Sequence, residues 1–316
     1  MTTAFIFPGQ GSQAVGMGKS LAENFAPARA VFDEVDAALG EKLSAIMWDG
    51  PIETLTLTAN AQPALMAASL AAIRVLEAEA GLDLSRDAAF VAGHSLGEYS
   101  ALAAAGSFSI ADAARLLRLR GIAMQAAVPV GAGAMAAILG LDYDKVSAVA
   151  AEAAGAGVCD IANDNAPGQV VVSGDADAIG RAVEIAKREG ASRAILLPVS
   201  APFHCRLIQS AADAMQAALA GVTVNAPVVP VVANVTAAPV TAPDEIRALL
   251  VRQVTGTVRW RESVSYMAGA GVTRLVEVGA GKVLAGLAKR IARELAVANV
   301  GGAEDIAAFA AARSAA

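Results

Sequence analysis

The residue whose type and setting best suit it to chemistry is a serine between two glycines. Ser95 is the centre of Gly93-His94-Ser95-Leu96-Gly97, which follows an apolar run and leads straight into a helix-forming segment. Strand, sharp turn and helix in that order make a nucleophile elbow, and glycines at both flanks suit a turn without room for Cβ atoms. Free N–H groups at the helix start would favour negative charge near the serine oxygen. The pattern predicts a nucleophile, against the alternative of a chance match in a chain rich in glycine and alanine.

A nucleophilic serine needs a general base, and the chain contains two histidines. His94 is adjacent to Ser95, where neighbouring side chains diverge, so we expect it to pack or to form a hydrogen bond. His204, far along the chain, is the predicted base; the alternative is an ordinary loop histidine, which would leave Ser95 without a base. Acidic residues between the two have no clear strand-end setting. We therefore expect a Ser-His dyad whose histidine is oriented by a backbone or amide carbonyl.

An arginine in the middle of an apolar helix face is the third candidate. Ser109 and Asp112 form a capping-box-like start for a helix that runs to about residue 126. On it, Arg120 shares a face with apolar residues, namely Ala113, Leu116, Leu117 and Met124. A buried guanidinium must be paired. Two interpretations stay open: a clamp for a substrate carboxylate or phosphate, and a structural salt bridge to a core carboxylate.

Two glycine-rich loops resemble nucleotide sites only in part. Gly9-x-Gly11-x-x-Ala14 has the dinucleotide spacing, but Pro8 and two glutamines do not suit close approach to a pyrophosphate. We expect a polar loop there, with a glutamine facing a ligand. Gly279-Ala280-Gly281-Lys282 resembles a phosphate loop but lacks the first glycine and the final Ser/Thr. Neither loop is predicted to bind a nucleotide.

Composition excludes several classes of protein. The 316 residues can bury a large core, and the net charge of −6 argues against a general nucleic-acid binder. Hydrophobic residues make up 56%, largely dispersed alanine, so no membrane span is expected, and the N-terminus has no signal-peptide pattern. Cys159 and Cys205 suit a reducing cytoplasm without disulfides; Cys205, beside His204, is either an incidental buried thiol or a second candidate nucleophile.

The elements that must position these groups predict an α/β fold with two domains. Apolar strands over 4–7, 88–92, 228–233 and 274–278 alternate with helices, such as 59–80, 207–220, 244–253 and 263–268. Between them, residues 134–199 have the order β-α-β-β-α-β of a split βαβ sandwich. The sequence therefore predicts a hydrolase-like large domain (1–127 and 199–316) with a mostly parallel sheet, and an inserted ferredoxin-like small domain (128–198).

Two details of that prediction are specific enough to test. Composition predicts that residues 163–168, which include Asn163 and Asn165, form a turn; a catalytic role for either asparagine is the alternative. The alanine-rich residues after Ile306 are predicted to form either a packed helix or a frayed tail.

Four separated motifs together resemble those of malonyl-CoA:acyl carrier protein transacylases, over essentially the whole chain. They are Phe7-Pro8-Gly9-Gln10-Gly11-Ser12-Gln13, Gly93-His94-Ser95-Leu96-Gly97-Glu98, Arg120 and Ser200-Ala201-Pro202-Phe203-His204. The resemblance implies that Ser95 is acylated, that His204 is the general acid and base, and that Arg120 binds the malonyl carboxylate. It further implies an oxyanion hole made by the N–H groups of Gln10 and Leu96, and a histidine-orienting carbonyl at Gln253.

The activity implied by the resemblance is a ping-pong transfer through a malonyl-serine. The malonyl group would move from malonyl-CoA to the phosphopantetheine thiol of acyl carrier protein, in fatty acid or polyketide biosynthesis, with no metal or redox cofactor. A serine hydrolase or thioesterase on a related scaffold is the main alternative. A catalytically silent module that binds carrier protein is a second, disfavoured by the presence of all three candidate residues.

The implied partner is an acidic carrier protein, which an acidic enzyme must meet with a local basic surface. The candidate cations are Lys187, Arg188, Lys282, Lys289, Arg290 and Arg293. Solvated helix faces are the equal alternative for these residues. We expect a cytoplasmic monomer that binds neither nucleic acid nor membrane.

Overall fold

A computed structural model describes residues 1–314 of the chain, and its strands form two separate sheets. The strands are β1 (Thr3–Phe7), β2 (Phe90–Gly93), β3 (Gly133–Leu139), β4 (Cys159–Ala166), β5 (Gln169–Asp175), β6 (Arg193–Leu196), β7 (Val231–Ala233), β8 (Ala238–Val240), β9 (Arg274–Val278) and β10 (Ala296–Val300).

Fifteen α-helices connect and cover these strands in the described part of the chain. They are α1 (Lys19–Asn24), α2 (Ala26–Leu39), α3 (Leu43–Asp49), α4 (Ile52–Thr56), α5 (Thr58–Ala80), α6 (Leu84–Asp87), α7 (Gly97–Ala104), α8 (Ile110–Ala126), α9 (Tyr143–Ala154), α10 (Ala176–Arg188), α11 (Gln209–Ala220), α12 (Pro243–Thr255), α13 (Trp260–Gly269), α14 (Val283–Ile291) and α15 (Ala303–Ser314).

The larger sheet has six strands in the order β10-β9-β1-β2-β7-β8, all parallel except β8. Its central strand β1 is apolar and buried from Ala4 to Phe7 because helices cover both faces. Phe5 and Phe7 point into one core and Ala4 and Ile6 into the other, as the two-residue period of a strand requires. β1 runs in register with β2, so that Phe7 lies opposite Gly93. The loops after these two strands therefore meet at one edge of the sheet, where open α/β sheets place their sites.

The smaller sheet is antiparallel, with the order β4-β5-β3-β6. Its elements follow one another as β3-α9-β4-β5-α10-β6, the order predicted from the sequence. Helices α9 and α10 pack on one face and enclose a hydrophobic core that is separate from those of the larger sheet. The predicted fold class, a mostly parallel sheet with a ferredoxin-like insert, is confirmed.

The separate core supports our proposal for the domain division. We propose that residues 128–198 form the inserted domain and that 1–127 and 199–316 form the large one. Strand β4 holds the two together: Asp164 N–H donates to Val258 O at 2.9 Å, and Val258 N–H donates to Ala162 O at 2.8 Å.

The predicted turn over residues 163–168 is wrong. Asn163 to Ala166 belong to β4 and pair with β5, so only Pro167 and Gly168 make the turn. Composition favoured a turn because asparagine and aspartate often bond to their own backbone there. In the folded chain the Asp164 carboxylate bonds to Arg261 and the Asn165 amide to His94 instead, which only tertiary contacts could determine.

Some strands near the C-terminal end of the chain also differ from the prediction. β7 begins at Val231 rather than at 228, and the short strands β8 and β10 were not predicted. From Ile306 to Ser314 the chain forms the packed helix rather than the tail, because Ile306 and Phe309 are buried against the larger sheet; residues 315 and 316 lie outside the described part. Within residues 1–314 no helix is long and apolar enough to cross a membrane.

Candidate active site

The turn between β2 and α7 holds Ser95 in a strained conformation. Ser95 has a φ of 55°, in the left-handed region that costs energy for a residue with a Cβ. A Cβ on Gly93 would lie 1.9 Å from the carbonyl carbon of Gly97, and one on Gly97 would lie 2.3 Å from Phe7 O. Both glycines are therefore required by close backbone approach. The Asn234 side chain holds the turn, since its Oδ1 accepts from Ser95 N–H at 2.8 Å.

The structure brings Ser95 and His204 together. Ser95 Oγ lies 2.7 Å from His204 Nε2, and His204 Nδ1 lies 2.9 Å from the backbone oxygen of Gln253. A carbonyl can only accept, so Nδ1 carries the proton and Nε2 accepts from the serine hydroxyl. Among non-glycine residues of the described chain, positive φ occurs at Ser95, His204 and Ala237. Two of these three form the dyad, as expected if strain is concentrated at a functional site.

The environment of His204 keeps its imidazole neutral. The side chain is buried, and burial together with the nearby Arg120 lowers its pKa to about 3. A neutral imidazole with a free Nε2 lone pair can accept the serine proton at neutral pH.

Arg120 reaches the same point from helix α8. Its side chain is 1% exposed, and its Nη2 donates to Ser95 Oγ at 3.1 Å. Its other acceptors are Gln62 Oε1 at 2.7 Å and Gln253 Oε1 at 2.8 Å. No carboxylate of residues 1–314 forms a salt bridge with it, so the structural salt bridge offered as an alternative is absent there. Burial lowers the pKa of Arg120, yet an arginine stays charged.

The N–H groups of Gln10 and Leu96 lie on the two loops that meet above β1 and β2. Leu96 is the residue before α7, and Gln10 lies three residues beyond β1. In the described chain neither backbone N–H has an acceptor, whereas those of Ser95 and Gly97 are used. Both residues line a cavity of about 370 Å³ that also contains the dyad and Arg120. Further lining residues are Gly11, Gln13, Thr56, Gln62, His94, Met124, Met135, Asn163, Leu197, Pro198, Val199 and Phe203.

His94 and the two asparagines of β4 lie next to the site. His94 Nε2 bonds to Asn165 Oδ1 at 2.8 Å, which agrees with its predicted hydrogen-bonding role. Asn163 lines the cavity directly. The two asparagines thus lie at the candidate site, although they belong to strand β4 and not to the predicted turn.

The cysteines are unsuited to be nucleophiles. Both are free and buried, and burial raises the pKa of each thiol, that of Cys159 to about 12. A thiol with a raised pKa provides little thiolate.

Three residues that belong to the site were not predicted from the sequence. Gln62 supports Arg120, while Asn234 and Glu98 lie behind the elbow. Glu98 had a signal, because it is an acidic residue at the start of an otherwise largely apolar helix, directly after Gly97 of the elbow. Gln62 and Asn234 have none, because their roles depend on contacts with residues 58 and 139 positions away.

The candidate docking cations lie on or beside two helices, α10 and α14. On α10, Lys187 and Arg188 pair with Glu184 and Glu152. On α14, Arg290 donates to Pro167 O at 3.0 Å. The remaining three, Lys282, Lys289 and Arg293, are exposed. No cluster of His, Cys, Asp and Glu in the described chain could hold a metal ion.

A parallel sheet with a serine elbow, a histidine and two unused N–H groups defines a class of enzyme that passes acyl groups through a serine ester. The family model described as "Acyl transferase domain" matches residues 4–309. The malonyl CoA-acyl carrier protein transacylase of Escherichia coli (strain K12) is 50% identical over 288 residues, which are 91% of this chain and 92% of the relative. The chain therefore belongs to the malonyl CoA-acyl carrier protein transacylases within the acyl transferase family, as the motifs indicated.

Solved structures agree with this assignment. An acyl-carrier-protein-S-malonyltransferase from Bartonella henselae has a TM-score of 0.97 and 57% identity, covering 99% of this chain and 100% of its own. Another solved structure shows a type II PKS acyl-carrier protein in complex with its malonyl-transacylase. The matched chain has a TM-score of 0.95 and 42% identity and covers 99% of this chain and 100% of its own.

Proposed function

We propose that the protein transfers malonyl from malonyl-CoA to the phosphopantetheine thiol of acyl carrier protein through a malonyl ester of Ser95, in fatty acid or polyketide biosynthesis. The observation that carries this proposal is the position of Arg120. It is a buried cation without a carboxylate partner in the described chain, 3.1 Å from the serine oxygen. In a malonyl group a single methylene separates the carboxylate from the reacting carbonyl, so this short acid would place its charge on that guanidinium.

In the first half-reaction Ser95 Oγ attacks the thioester carbonyl of malonyl-CoA while His204 Nε2 takes its proton. The Gln253 carbonyl holds the Nδ1 proton of the resulting imidazolium. The N–H groups of Gln10 and Leu96 donate to the tetrahedral oxyanion. The C–S bond then breaks, the proton passes from His204 to the sulfur, and coenzyme A leaves as the thiol.

The second half-reaction runs the same steps with a different thiol. His204 takes the proton of the phosphopantetheine thiol, the thiolate attacks malonyl-Ser95, and the collapsing intermediate returns the proton to Ser95 Oγ. These steps need no metal or redox group. Every group they use comes from one chain, so a monomer suffices.

Arg120 selects the acyl group in this scheme. Acetyl-CoA would leave its charge unpaired, and an unsatisfied buried charged group costs several kcal/mol. An acyl group that carries a carboxylate, such as malonyl, avoids this cost because its carboxylate pairs with the guanidinium. A hydrolase on the same scaffold would need water to resolve the ester, and no relative reported above is named as one.

We further propose that an acidic carrier protein docks on the exposed cations beside and on α14. Lys282 follows Gly281, where a Cβ would contact Ser12 in the loop after β1. Gly281 therefore lies next to that loop, and α14, which begins two residues later, starts beside the loop that lines the cavity. The paired state of Lys187 and Arg188 makes α10 the weaker candidate. Two free buried thiols suit the reducing cytoplasm, where we place the reaction.

The experiment that tests the function incubates the protein with malonyl-CoA and measures its intact mass. We expect one malonyl adduct, mapped to the peptide with Ser95, that persists in buffer and disappears when holo carrier protein is added. Absence of an adduct would refute the transferase. Rapid discharge by water alone would favour the hydrolase instead.

A further inference from the structure

A buried carboxylate lies directly behind the elbow. Glu98, in the first turn of α7, is 2% exposed. Its Oε2 accepts from Gln253 Nε2 at 2.7 Å and from the backbone N–H of Asn234 at 3.1 Å. A buried carboxylate is costly unless such donors hold it, and the donors that hold this one belong to two residues of the site.

Gln253 connects Glu98 to the other groups of the site. Its backbone oxygen accepts from His204, its side-chain Oε1 accepts from Arg120, and its Nε2 donates to Ser95 O at 2.9 Å. The amide therefore lies between a cation that needs its oxygen and an anion that needs its NH₂ group. Without the carboxylate, the amide could rotate and present its NH₂ group to the guanidinium, donor against donor.

Asn234 connects Glu98 to the elbow itself. While Glu98 holds its backbone N–H, its side chain accepts from Ser95 N–H at 2.8 Å and donates to Gly93 O at 2.7 Å. These two bonds span the strained turn from strand to serine. The position of Asn234 thus determines the position of the left-handed Ser95.

We infer that Glu98 is a positioning residue: through Gln253 and Asn234 it fixes the mutual geometry of Ser95, His204 and Arg120. The inference rests on the proposed function, because it concerns the acylation of Ser95. It assigns Glu98 no contact with the substrate.

Glu98 can act in either protonation state. Burial raises the pKa of its carboxyl to about 7, against the opposing effect of the bonds from Gln253 and Asn234. A protonated carboxyl still has a carbonyl oxygen, and both bonds go to the single oxygen Oε2. A glutamine could place its amide oxygen there, so shape rather than charge is what Glu98 provides.

The test compares Glu98→Met with Glu98→Gln. Methionine fills the volume without an acceptor, whereas glutamine keeps the acceptor. We expect E98M to lower kcat for acylation by about 10- to 100-fold, since small misplacements of reacting groups have effects of this order. E98Q should restore kcat to within about three-fold of the unchanged protein.

Glu277 provides a matched control for a purely structural role. It is also a buried carboxylate, and it bonds to the backbone N–H groups of Leu284 and Ala285 and to the Asn299 amide. Glu277→Gln should lower the melting temperature and leave kcat per folded molecule unchanged. If E98M lowers the melting temperature and leaves kcat per folded molecule unchanged, as E277Q should, Glu98 has only a structural role and the inference is wrong.

A double-mutant cycle shows whether Glu98 acts through Gln253. Gln253→Leu keeps the backbone carbonyl for His204 and removes the amide. If the relay exists, Q253L lowers kcat by itself, and adding E98M lowers kcat by much less than E98M does alone. Full additivity would overturn the inference, and so would a Q253L variant with unchanged kcat, which can be measured even if E98M does not fold. The unchanged protein is measured first: failure to form an adduct there refutes the proposed function, whereas a normal adduct with unaffected variants refutes only the role of Glu98.

Discussion

Two strand-turn-helix junctions of the larger sheet begin alike and differ at the helix start. In the first, β2 leads through Gly93 and Ser95 to α7; in the second, β9 leads through Gly279 and Gly281 to α14. The second junction is closed by its own chain, because Glu277 accepts from the N–H groups of Leu284 and Ala285 at 3.1 and 2.8 Å. That carboxylate occupies the place where a phosphate would bind, which explains why a phosphate-loop-like sequence there is unsuited to a nucleotide.

The first junction leaves its corresponding donor unused. Glu98 points back to Asn234 and Gln253 rather than to the helix start, and the N–H of Leu96 has no acceptor in the described chain. The strain that the second junction places on glycines, the first places on Ser95. The second junction is therefore capped by its own carboxylate, whereas the first keeps an N–H group free beside the strained Ser95, as our proposed oxyanion hole requires.

Among the variants that separate the two junctions, removal of the proposed base should have the largest effect. With His204→Ala, the first junction keeps its strain and its free N–H but loses the proton acceptor 2.7 Å from Ser95. We expect the rate of malonyl-adduct formation to fall on the order of 10³-fold, measured by quenched-flow mass spectrometry. A loss below ten-fold would mean that the elbow does not depend on His204.

Removal of Arg120, the proposed carboxylate clamp, should have the next largest effect. Arg120→Ala is expected to lower kcat/KM for malonyl-CoA about 100-fold, because it removes charge-assisted hydrogen bonds, and to abolish the preference over acetyl-CoA. Arg118→Ala is the matched control on the same helix, since Arg118 bonds to Glu41 and Asn60 instead. Preserved malonyl preference in R120A would refute the selection argument.

Charge reversal at the second junction should affect only the transfer to carrier protein. Reversing Lys289 and Arg290 to glutamate on α14 is expected to raise KM for carrier protein about ten-fold by charge repulsion, while acylation by malonyl-CoA stays unchanged. The same reversal at Lys187 and Arg188 should have a smaller effect. An unchanged KM in the α14 variant would remove its cations from the docking surface, and slowed acylation would indicate damage to the site instead.

A change of pH should have the smallest effect on the rate of acylation. The base works when unprotonated, and a pKa of about 3 keeps His204 unprotonated as the pH falls. From about pH 8 to about pH 5 we therefore expect nearly constant single-turnover rates, unlike those of an exposed histidine, which would lose half its activity near its ordinary pKa. A half-maximal rate near pH 6.5 would show that His204 is not shielded from solvent as described.

Local pattern predicted much of this molecule and long-range pairing determined the rest. The elbow, the helix with Arg120 and the β-α-β-β-α-β insert each follow from periodicity, capping or turn residues within a few positions. The roles of Gln10, Leu96 and Gln253 came from the family resemblance, because the local pattern predicted only that a glutamine of the first loop faces a ligand and that Leu96 lies in the elbow.

Residues whose role depends on distant partners stayed hidden. Asn163 and Asn165 were expected in a turn because a single sequence cannot show that their strand docks beside His94. Glu98 and Glu277 look equally anomalous in apolar stretches, yet one bonds to the site and the other to a helix start. The roles of Glu98 and Glu277 differ because their neighbours in space differ, and the residue type alone cannot show this.

The most direct test of the reactive junction is a crystal structure of the malonyl-enzyme. We predict that the ester carbonyl oxygen lies within about 3.2 Å of both the Leu96 and Gln10 backbone nitrogens, with the malonyl carboxylate on Arg120. An ester oxygen that points away from both nitrogens would contradict the claim that the elbow is left uncapped to hold the oxyanion.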